Sequence, residues 1–370
     1  MGAIPIRTTD ATPEFVTDAL RSGGAIAADT AVAEVEHCQI GEGVGIMGTL
    51  ARLTLRYSGT AAGAPSSVVL KLPSEFPENR VVGNHFRFYE REGRFYEQLG
   101  DKLSVRTPRC YFNHIDPQRD EFALVLEDFA DRTMVSQIAG ISPDRAAEAV
   151  RAIASVHAAW WDSPALDSLT WMPDGDSPEL MSAGAEYRRV WPEFLARFGD
   201  EMPDGSVELG ELIGPSFEAN QAASNGRNPV TIAHGDFRAD NLMFDDNSEG
   251  TEHVGVLDWQ IAMRLGAMMD ITYLLTQSMT IDDRRKNERD LVSVWYDAVS
   301  SAMGAVPDGF SKDDAWREYR SATGNLTVYG VVGGGTTDLS NERGVQLVTT
   351  MAKRAFTAAL DLDAASFVAS

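Results

Sequence analysis

One stretch, residues 230–258, limits the possible folds of this chain more than any other. A short apolar run ends at Ala233 and leads into His-Gly-Asp at positions 234–236, and Asn241 follows shortly after. A second apolar run, a polar turn rich in Asp, Asn and Gly, and a third apolar run then lead to Asp258. The turn residues predict a hairpin between the second and third runs. We therefore expect two carboxylates and a carboxamide at the ends of neighbouring strands.

This set of side chains suits phosphoryl transfer. One carboxylate can orient and deprotonate a hydroxyl group, while a carboxamide and a second carboxylate can supply oxygen ligands to Mg²⁺ on ATP phosphates. The alternative is that Asp236 and Asn241 only cap a turn, as these residue types often do. The position of Asp258, where a hairpin partner should end, favours the chemical interpretation.

At these residues the chain resembles the aminoglycoside phosphotransferase/choline kinase superfamily of small-molecule kinases, which shares its fold with protein kinases. The segments Leu126-Glu127-Asp128 and Asp258-Trp259-Gln260 are most similar to the ecdysteroid-kinase-like branch. The resemblance implies that Asp236 is the catalytic base. It also implies that Asn241 and Asp258 bind the metal that accompanies ATP.

A glycine-rich segment contains Gly-x-Gly-x-x-Gly at Gly43, Gly45 and Gly48. Apolar and polar residues alternate after it, at positions 52–57, and this period of two predicts a strand. A dinucleotide-binding fingerprint would open a helix instead. The segment is therefore typical of a kinase glycine loop, in which backbone N–H groups lie over phosphates. A glycine hairpin without a ligand is the alternative.

Lys71 is a cation within an otherwise apolar predicted strand, Val68 to Leu72. A buried ammonium group needs a partner, because burying an unpaired charge is costly. Glu92 lies on the apolar face of the next predicted helix, so we expect a Lys71–Glu92 ion pair that places the ammonium group on the ATP phosphates. Glu90 is the alternate partner, although it points away from that face. A solvated position of Lys71 on an edge strand is the other alternative.

The resemblance also implies where the chain divides. In the family, the chain leaves the small lobe after the strand that here ends at Leu126, and backbone groups of that connection bind the adenine edge. We therefore place Glu127 and Asp128 at the nucleotide site. The implied fold is α+β and two-lobed, like a protein kinase: a small antiparallel-sheet, nucleotide-binding lobe at 1–127 and a large, mainly helical, catalytic and acceptor-binding lobe at 128–370.

Several polar residues outside this core motif have two interpretations. Arg238 lies within the predicted catalytic loop and could stabilise charge on the transferring group, or could be a surface arginine. His157 is interpreted as a core residue rather than a catalytic one. Asp270 opens a predicted helix and is expected to cap its N–H groups or to meet the backbone of the catalytic loop. Three consecutive glycines at 333–335 predict a turn or a close backbone approach.

Composition excludes some classes of partner. The formal net charge of −23 argues against nucleic acid or an anionic membrane as a partner. The chain has no long uncharged apolar run of the kind that spans a membrane, and its N-terminus has no secretory apolar segment. The two cysteines lack metal-ligand spacing. We expect a cytoplasmic protein that is a monomer or a weak homodimer.

The function predicted from these features is ATP-dependent phosphorylation of a hydroxyl group on a small molecule, with Mg-ATP held between the lobes and Asp236 as the base. One alternative is a nucleotide-binding pseudokinase that acts as a binding module. Others are an aminoglycoside or macrolide kinase, a kinase with a protein acceptor, and a hydrolase. The short segment between Asp258 and Asp270 argues against a protein acceptor, and the hydrolase lacks a nucleophile elbow or metal cluster. The sequence does not identify the acceptor.

Overall fold

The computed structural model describes residues 4–41, 47–59, 61–225, 229–248, 250, 253–336 and 342–368. It forms two compact units. The first contains Met1–Arg132 and Val256–Ile261, and the second contains Thr133–Gly255 and Ala262–Ser370. The sequence-based division after residue 127 did not assign the segment Val256–Ile261 to the first unit.

The strands and helices follow one another along the chain. The strands are β1 (Ala31–Ile40), β2 (Gly48–Ser58), β3 (Ser67–Pro73), β4 (Cys110–Asp116), β5 (Glu121–Glu127), β6 (Thr133–Met134), β7 (Val230–Ala233), β8 (Leu242–Phe244), β9 (Val254–Val256) and β10 (Met263–Gly266). The helices are α1 (Pro13–Ser22), α2 (Pro77–His85), α3 (Phe88–Gln98), α4 (Pro143–Ala159), α5 (Pro178–Met181), α6 (Ala183–Phe198), α7 (Ser206–Ile213), α8 (Phe217–Asn225), α9 (Met268–Tyr273), α10 (Ile281–Met303), α11 (Lys312–Thr336) and α12 (Glu342–Asp361).

An antiparallel sheet with strand order β1-β2-β3-β5-β4 forms the frame of the first unit. The alternation predicted for β2 is confirmed, because Leu53 and Leu55 are buried whereas Thr54 and Arg56 are exposed. The buried residues of β2 and β3 pack with those of α1 in one apolar core. Burial of one face in this way fixes the register of the strands.

Helix α3 packs closely against the sheet because Gly93 has no side chain. A Cβ atom added at Gly93 would lie 2.1 Å from Cδ1 of Ile115 on β4, too close for any side chain. The neighbouring residue Glu92 is thereby brought toward the sheet. Phe95 of the same helix stacks on Trp259, with ring centroids 4.6 Å apart. This stacking fixes the segment Val256–Ile261 within the first unit.

The second unit is mainly helical, with two small sheets. Strand β7 pairs with β10 in antiparallel register, with Ala233 opposite Met263 and Val230 opposite Gly266. Strands β6, β8 and β9 form the other sheet, and β8 and β9 are the two strands of the predicted hairpin. Aromatic and aliphatic side chains of α6, α7, α11 and α12 share an apolar core. No helix in the described part of the chain has both the length and the apolarity needed to cross a membrane.

Two stretches that the sequence predicts as single helices are each divided in the structure. Residues 179–198 are expected to form one helix but form two, α5 and α6. Residues 206–224 are also expected to form one helix but form α7 and α8, because Gly214 and Pro215 interrupt the stretch. Of the two alternatives for the glycines at 333–335, the turn is excluded because α11 continues through them. The predicted close approach is confirmed, since a Cβ atom added at Gly334 would lie 2.7 Å from the side chain of Val348.

Candidate active site

A cluster of three charged side chains lies at the centre of the first unit. The ammonium Nζ of Lys71 lies 2.7 Å from the Glu92 carboxylate and 2.8 Å from Oδ1 of Asp258. Lys71 is 5% exposed and Glu92 is 1% exposed, whereas the side chain of Asp258 is 27% exposed. The predicted Lys71–Glu92 pair is confirmed. The contact between Lys71 and Asp258 was not predicted.

The alternative partner of Lys71 is excluded by its own contacts. Glu90 accepts a hydrogen bond from Arg87 at 3.0 Å and another from Arg94 at 2.9 Å. Arg94 lies four residues after Glu90 on α3, and Arg87 directly precedes this helix, so the carboxylate is paired with neighbours in the sequence. These contacts also lower the pKa of Glu90, first through the hydrogen bond from Arg87. The inward position of Glu92 therefore decides which glutamate meets the lysine.

One cation faces two carboxylates in this cluster, and the pKa values reflect that imbalance. Burial opposes the charge on Lys71, but the carboxylates of Asp258 and Glu92 together raise its pKa. Burial raises the pKa of Glu92; Lys71 counteracts this, and Asp258 adds to it. With all three groups ionised, the cluster has a formal charge of −1. Such a site favours a further cation at its more exposed end, which is Asp258.

The backbone at Asp258 has an unusual conformation. Its φ angle is +61°, in the left-handed region that aspartate tolerates better than most residues. The next residue, Trp259, is fully buried, stacks on Phe95 and donates its indole N–H to the carbonyl oxygen of Val256 at 3.2 Å. The chain therefore turns sharply between a buried strand and a buried indole. This turn holds the Asp258 carboxylate against Lys71.

Two predicted nucleotide contacts belong to the first unit, and their side chains have structural partners. Asp128 accepts hydrogen bonds from Nε of Arg52 at 2.6 Å and from the Ser67 hydroxyl at 2.7 Å. Glu127 pairs with Arg106 and accepts the backbone N–H of Arg109. These contacts fix the end of β5. The predicted role of this segment involves backbone groups, so it stays a prediction.

The predicted glycine loop is only partly described. Gly48 begins β2, where an added Cβ atom would lie 3.2 Å from both the Leu72 carbonyl oxygen and the Lys71 side chain. A side chain at this position would therefore press on the lysine that pairs with Glu92. Gly43 and Gly45 lie outside the described residues.

In the second unit, the segment after β7 holds Asp236 through several hydrogen bonds. Asn241 Nδ2 lies 2.9 Å from both the main-chain oxygen and Oδ2 of Asp236. Nε of Arg238 lies 3.2 Å from Oδ1 of Asp236, and burial together with this carboxylate raises the pKa of the nearby Tyr273 phenol. The loop thus brings together three of the predicted site residues. Tyr273 was not predicted.

The orientation of the Asn241 amide follows from these partners. Both groups that it contacts on Asp236 are acceptors, so the nitrogen of the amide must face them. The amide oxygen is thereby directed away from Asp236. It accepts no hydrogen bond from any residue in the described ranges. An oxygen atom held in this way is a suitable ligand for a hard cation.

Arg238 is a buried residue of the loop at 234–241, not a surface arginine. Its guanidinium group bridges Asp236 and Asp240, with Nη1 lying 3.0 Å from Oδ2 of Asp240. Burial disfavours its charge, but Asp236, Tyr273 and Asp240 outweigh burial and raise its pKa further above the ordinary value. The planar fork of arginine can hold two carboxylates at fixed positions, which a lysine cannot do.

Asp270 anchors the loop from behind. Its carboxylate accepts the backbone N–H groups of His234 at 2.7 Å and Gly235 at 2.9 Å, so the second of its two predicted roles is confirmed. It also lies 3.1 Å from Nε2 of His157. Trp295 donates its indole N–H to Nδ1 of His157 at 3.0 Å. Since indole is only a donor, the proton of neutral His157 is on Nε2, facing Asp270.

Gln137 and Ser278 support the same loop from its other side, and sequence reasoning missed both. Oε1 of Gln137 accepts the backbone N–H of Ala239 at 2.9 Å, and the backbone N–H of Gln137 donates to Oδ1 of Asp240 at 2.9 Å. The Ser278 hydroxyl lies 3.0 Å from Oε1 of Gln137. Nη1 of Arg354 donates to the Gln137 carbonyl oxygen at 2.7 Å. A lone glutamine between unrelated segments has no sequence pattern that would identify it.

The fold is similar to that of small-molecule kinases. Choline kinase from Cryptosporidium parvum is 11% identical with a TM-score of 0.55, and 89% of each chain is covered. A candidate aminoglycoside phosphotransferase from Ralstonia eutropha is 15% identical with a TM-score of 0.52, over 94% of this chain and 98% of that one. At these identities the similarity establishes a kinase-like fold.

The sequence is also similar to a curated plant protein and to a family model. The protein named probable acyl-CoA dehydrogenase IBR3, from Arabidopsis thaliana, is 24% identical over 196 residues, which are 50% of this chain but only 22% of that protein. The chain therefore spans less than a quarter of that curated relative. The model of the phosphotransferase enzyme family (APH) matches residues 60–303, a range that includes Lys71, Asp236 and Asp258. This chain therefore belongs to the phosphotransferase enzyme family.

Proposed function

We propose that this protein transfers the γ-phosphoryl group of ATP to a hydroxyl group of a small molecule. The observation that carries the proposal is the buried Lys71, which is held by Glu92 and Asp258 although Asp258 lies 187 residues away along the chain. A purely structural ion pair needs one carboxylate, whereas this lysine has two. Phosphoryl transfer needs such a fixed cation to neutralise phosphate charge and a carboxylate that holds the metal.

Mg²⁺ is the metal that we propose for Asn241 and Asp258. Asp258 contributes a carboxylate that is more exposed than its partners, and Asn241 contributes an amide oxygen directed away from Asp236. Hard oxygen ligands of this kind suit Mg²⁺, which also keeps waters and phosphate oxygens as ligands. When bound, the metal would neutralise charge on the phosphate oxygens. These two residues are the proposed protein ligands.

Asp236 is the proposed base. Its carboxylate accepts the proton of the acceptor hydroxyl as that oxygen bonds to the γ-phosphorus, and the bond from this phosphorus to the bridging oxygen breaks, which releases ADP. Arg238 and Asn241 hold the carboxylate in place. Most of the rate enhancement then comes from positioning and charge stabilisation, because no covalent intermediate is needed.

The remaining predicted residues keep supporting roles in this proposal. Gly43, Gly45 and Gly48 would cover the phosphates with backbone N–H groups, and backbone groups at Glu127 and Asp128 would bind the adenine edge. Arg238 would also stabilise negative charge on the group being transferred. The side-chain contacts of Glu127 and Asp128 support this assignment because they fix the backbone that would bind the adenine ring.

The acceptor that we propose is a bulky, partly apolar alcohol. Similarity of the segments at 126–128 and 258–260 to the ecdysteroid-kinase-like branch supports this choice. An aminoglycoside or macrolide antibiotic is the alternative, and the acidic balance of the chain suits a cationic one. Members of both classes carry hydroxyl groups that Asp236 could deprotonate.

The test is a screen for acceptor-dependent ADP formation from ATP and Mg²⁺, with sterols, macrolides, aminoglycosides and amino alcohols as acceptors. For the best acceptor, Asp236→Asn should lower kcat about 10²-fold or more, because the base is lost while the shape of the side chain is retained. Asp246→Asn is the matched control, since this exposed aspartate pairs with Arg145 away from the loop. Its kcat should match that of the unmodified protein.

The screen has a clear negative outcome. If ATP binds but no acceptor in the panel yields ADP, the protein is a nucleotide-binding module and the proposal is wrong. If Asp236→Asn retains near-normal kcat, the assigned base is wrong.

A further inference from the structure

A cavity of about 510 Å³ lies in the second unit, at the end of the β7–β10 ladder that is remote from the catalytic loop. Val230 begins β7, Gly266 ends β10, and both residues line the cavity. The catalytic loop follows the other end of β7, after Ala233. Three strand residues span about 10 Å, and Asp236 is three residues further still. None of the loop residues 234–241 lines the cavity.

One wall of the cavity is a rigid group of aromatic rings. Trp161, Trp295 and Phe310 all line it. The ring centroid of Phe310 lies 5.5 Å from that of Trp161, with the planes 70° apart, and the Trp161 and Trp295 centroids are 6.2 Å apart. Trp295 is fully buried and fixed by its bond to His157. The half-buried Trp161 is therefore supported from behind and offers a stable aromatic surface.

Acidic side chains also line the cavity. Glu318 of α11 lines the cavity and its side chain is only 3% exposed. Nε of Arg317, whose side chain is 52% exposed, lies 3.4 Å from Oε1 of Glu318, a long contact. Four aspartates also line the cavity: Asp162, Asp167, Asp174 and Asp176.

The lining contains little positive charge to balance these carboxylates. Among the described residues, Arg264 is the only lysine or arginine of the lining. Its Nη2 already pairs with Asp174 at 2.9 Å, and its Nε donates to the Met172 carbonyl oxygen. Five carboxylates against one guanidinium give the lining a formal charge of −4. Phosphates, nucleotides and other anions are therefore unsuited to this cavity.

We propose that this cavity is a second ligand site, which binds an organic ammonium ion with an aromatic or apolar body. A cation gains from the carboxylates and from the face of Trp161, while its apolar part can contact Phe310 and the neighbouring small side chains. The volume is sufficient for a small organic molecule. A bare metal ion would leave the aromatic wall without a partner.

Phenethylamine and 2-phenylethanol are the probes that test this site, because they share a phenyl ring and chain length and differ in charge at neutral pH. Binding is measured by isothermal titration calorimetry on the full chain and by tryptophan fluorescence. The ammonium probe should bind about tenfold or more tightly than the alcohol. Equal affinities, or no binding of either probe, would overturn the proposal.

Two variants locate the binding. Ala322→Trp fills the cavity from α11 and should abolish binding of phenethylamine, whereas Ala305→Trp, at an exposed position, should leave it unchanged. Glu318→Gln retains the size of the side chain and should weaken binding about tenfold by removing charge. Circular dichroism and thermal melting verify that each variant is folded. Full binding in a folded Ala322→Trp variant would contradict the assignment.

A third variant separates this site from the proposed catalytic function. Asp236→Asn, which should lose turnover, should bind phenethylamine with unchanged affinity because the cavity excludes the catalytic loop. Loss of binding in that variant would place the amine at the acceptor site and overturn the second site. Failure to find any kinase acceptor would leave this binding result unaffected.

Discussion

Lys71 in the first unit and Arg238 in the second are both buried cations that lie between two carboxylates, but the two arrangements are assembled in opposite ways. In the first unit, Lys71 meets Glu92, which is 21 residues away, and Asp258, which is 187 residues away. In the second unit, Arg238 contacts the carboxylates two residues before it and two residues after it. The first cluster depends on tertiary structure, whereas the second is built within one loop.

The choice of cation matches this difference. The ammonium group of Lys71 is a compact charge that elements from distant parts of the chain can approach. The guanidinium of Arg238 is a planar fork, and it can fix the separation of two carboxylates that the loop already holds close together. The loop in turn depends on Asp270, which binds its backbone from outside. The loop cluster around Arg238 is therefore positioned by Asp270, which is distant in the sequence. The cluster around Lys71 is positioned by the burial of its members.

The largest stability effect is expected in the first unit. Lys71→Met should lower the free energy of unfolding by about 3–5 kcal/mol, because Glu92 would be left buried beside a second carboxylate without its cation. Urea denaturation measures the change. Lys102→Met, at an exposed position, is the matched control and should change stability little.

A double variant distinguishes loss of the ion pair from loss of packing. Combining Lys71→Met with Glu92→Met removes both buried charges and should recover much of the lost stability. If the double variant is as unstable as the sum of the two single variants, the charges are not coupled. That result would contradict the view that the first cluster is held together by its buried charges.

The anchor of the second cluster is the next target. Asp270→Asn keeps the shape of the side chain but removes the charge that accepts two loop N–H groups and faces His157. A hydrogen bond to a charged group contributes about 1.5–3 kcal/mol, so unfolding free energy should fall by about 2 kcal/mol. Asp282→Asn, on an exposed turn of α10, is the control. Calorimetric melting of both variants measures the difference.

Turnover of the same variant sharpens the comparison. If Asp270 holds the loop, Asp270→Asn should lower kcat as well as stability, since the loop carries the proposed base. Unchanged kcat with reduced stability would mean that the loop keeps its geometry without the anchor.

In the first cluster, the sequence predicted one of the two contacts of Lys71 but not the other, for a physical reason. Lys71 and Glu92 were both identifiable because a charge interrupts an apolar strand in one case and an apolar helix face in the other. Their pairing then followed from the cost of burying either charge alone. The contact of Lys71 with Asp258 could not be inferred, because no periodic pattern relates residues that meet only through tertiary folding.

Several elements of the fold were predictable from local patterns, whereas the two-lobed arrangement was expected from the family resemblance. Alternation in β2, the apolar face of α3 and the polar turn before β9 each specify a local structure. The glycines of α11 left a turn and a close backbone approach as alternatives, because glycine usually weakens a helix. Here Gly334 and Gly335 allow neighbouring helices to approach closely, and that packing outweighs the local preference. Gln137 was missed because a single glutamine carries no pattern, although its amide supports the loop that carries the proposed base.

The smallest expected effect separates charge from geometry in the second cluster. Arg238→Lys retains the positive charge but loses the fork that joins Asp236 to Asp240, so one charged hydrogen bond is lost. We expect kcat to fall by about tenfold, with the unfolding free energy changed by about 1 kcal/mol or less. Arg151→Lys, at an exposed position on α4, is the matched control. Full activity in Arg238→Lys would mean that the loop needs only a cation there, as the first cluster does, and the two clusters would then work in the same way.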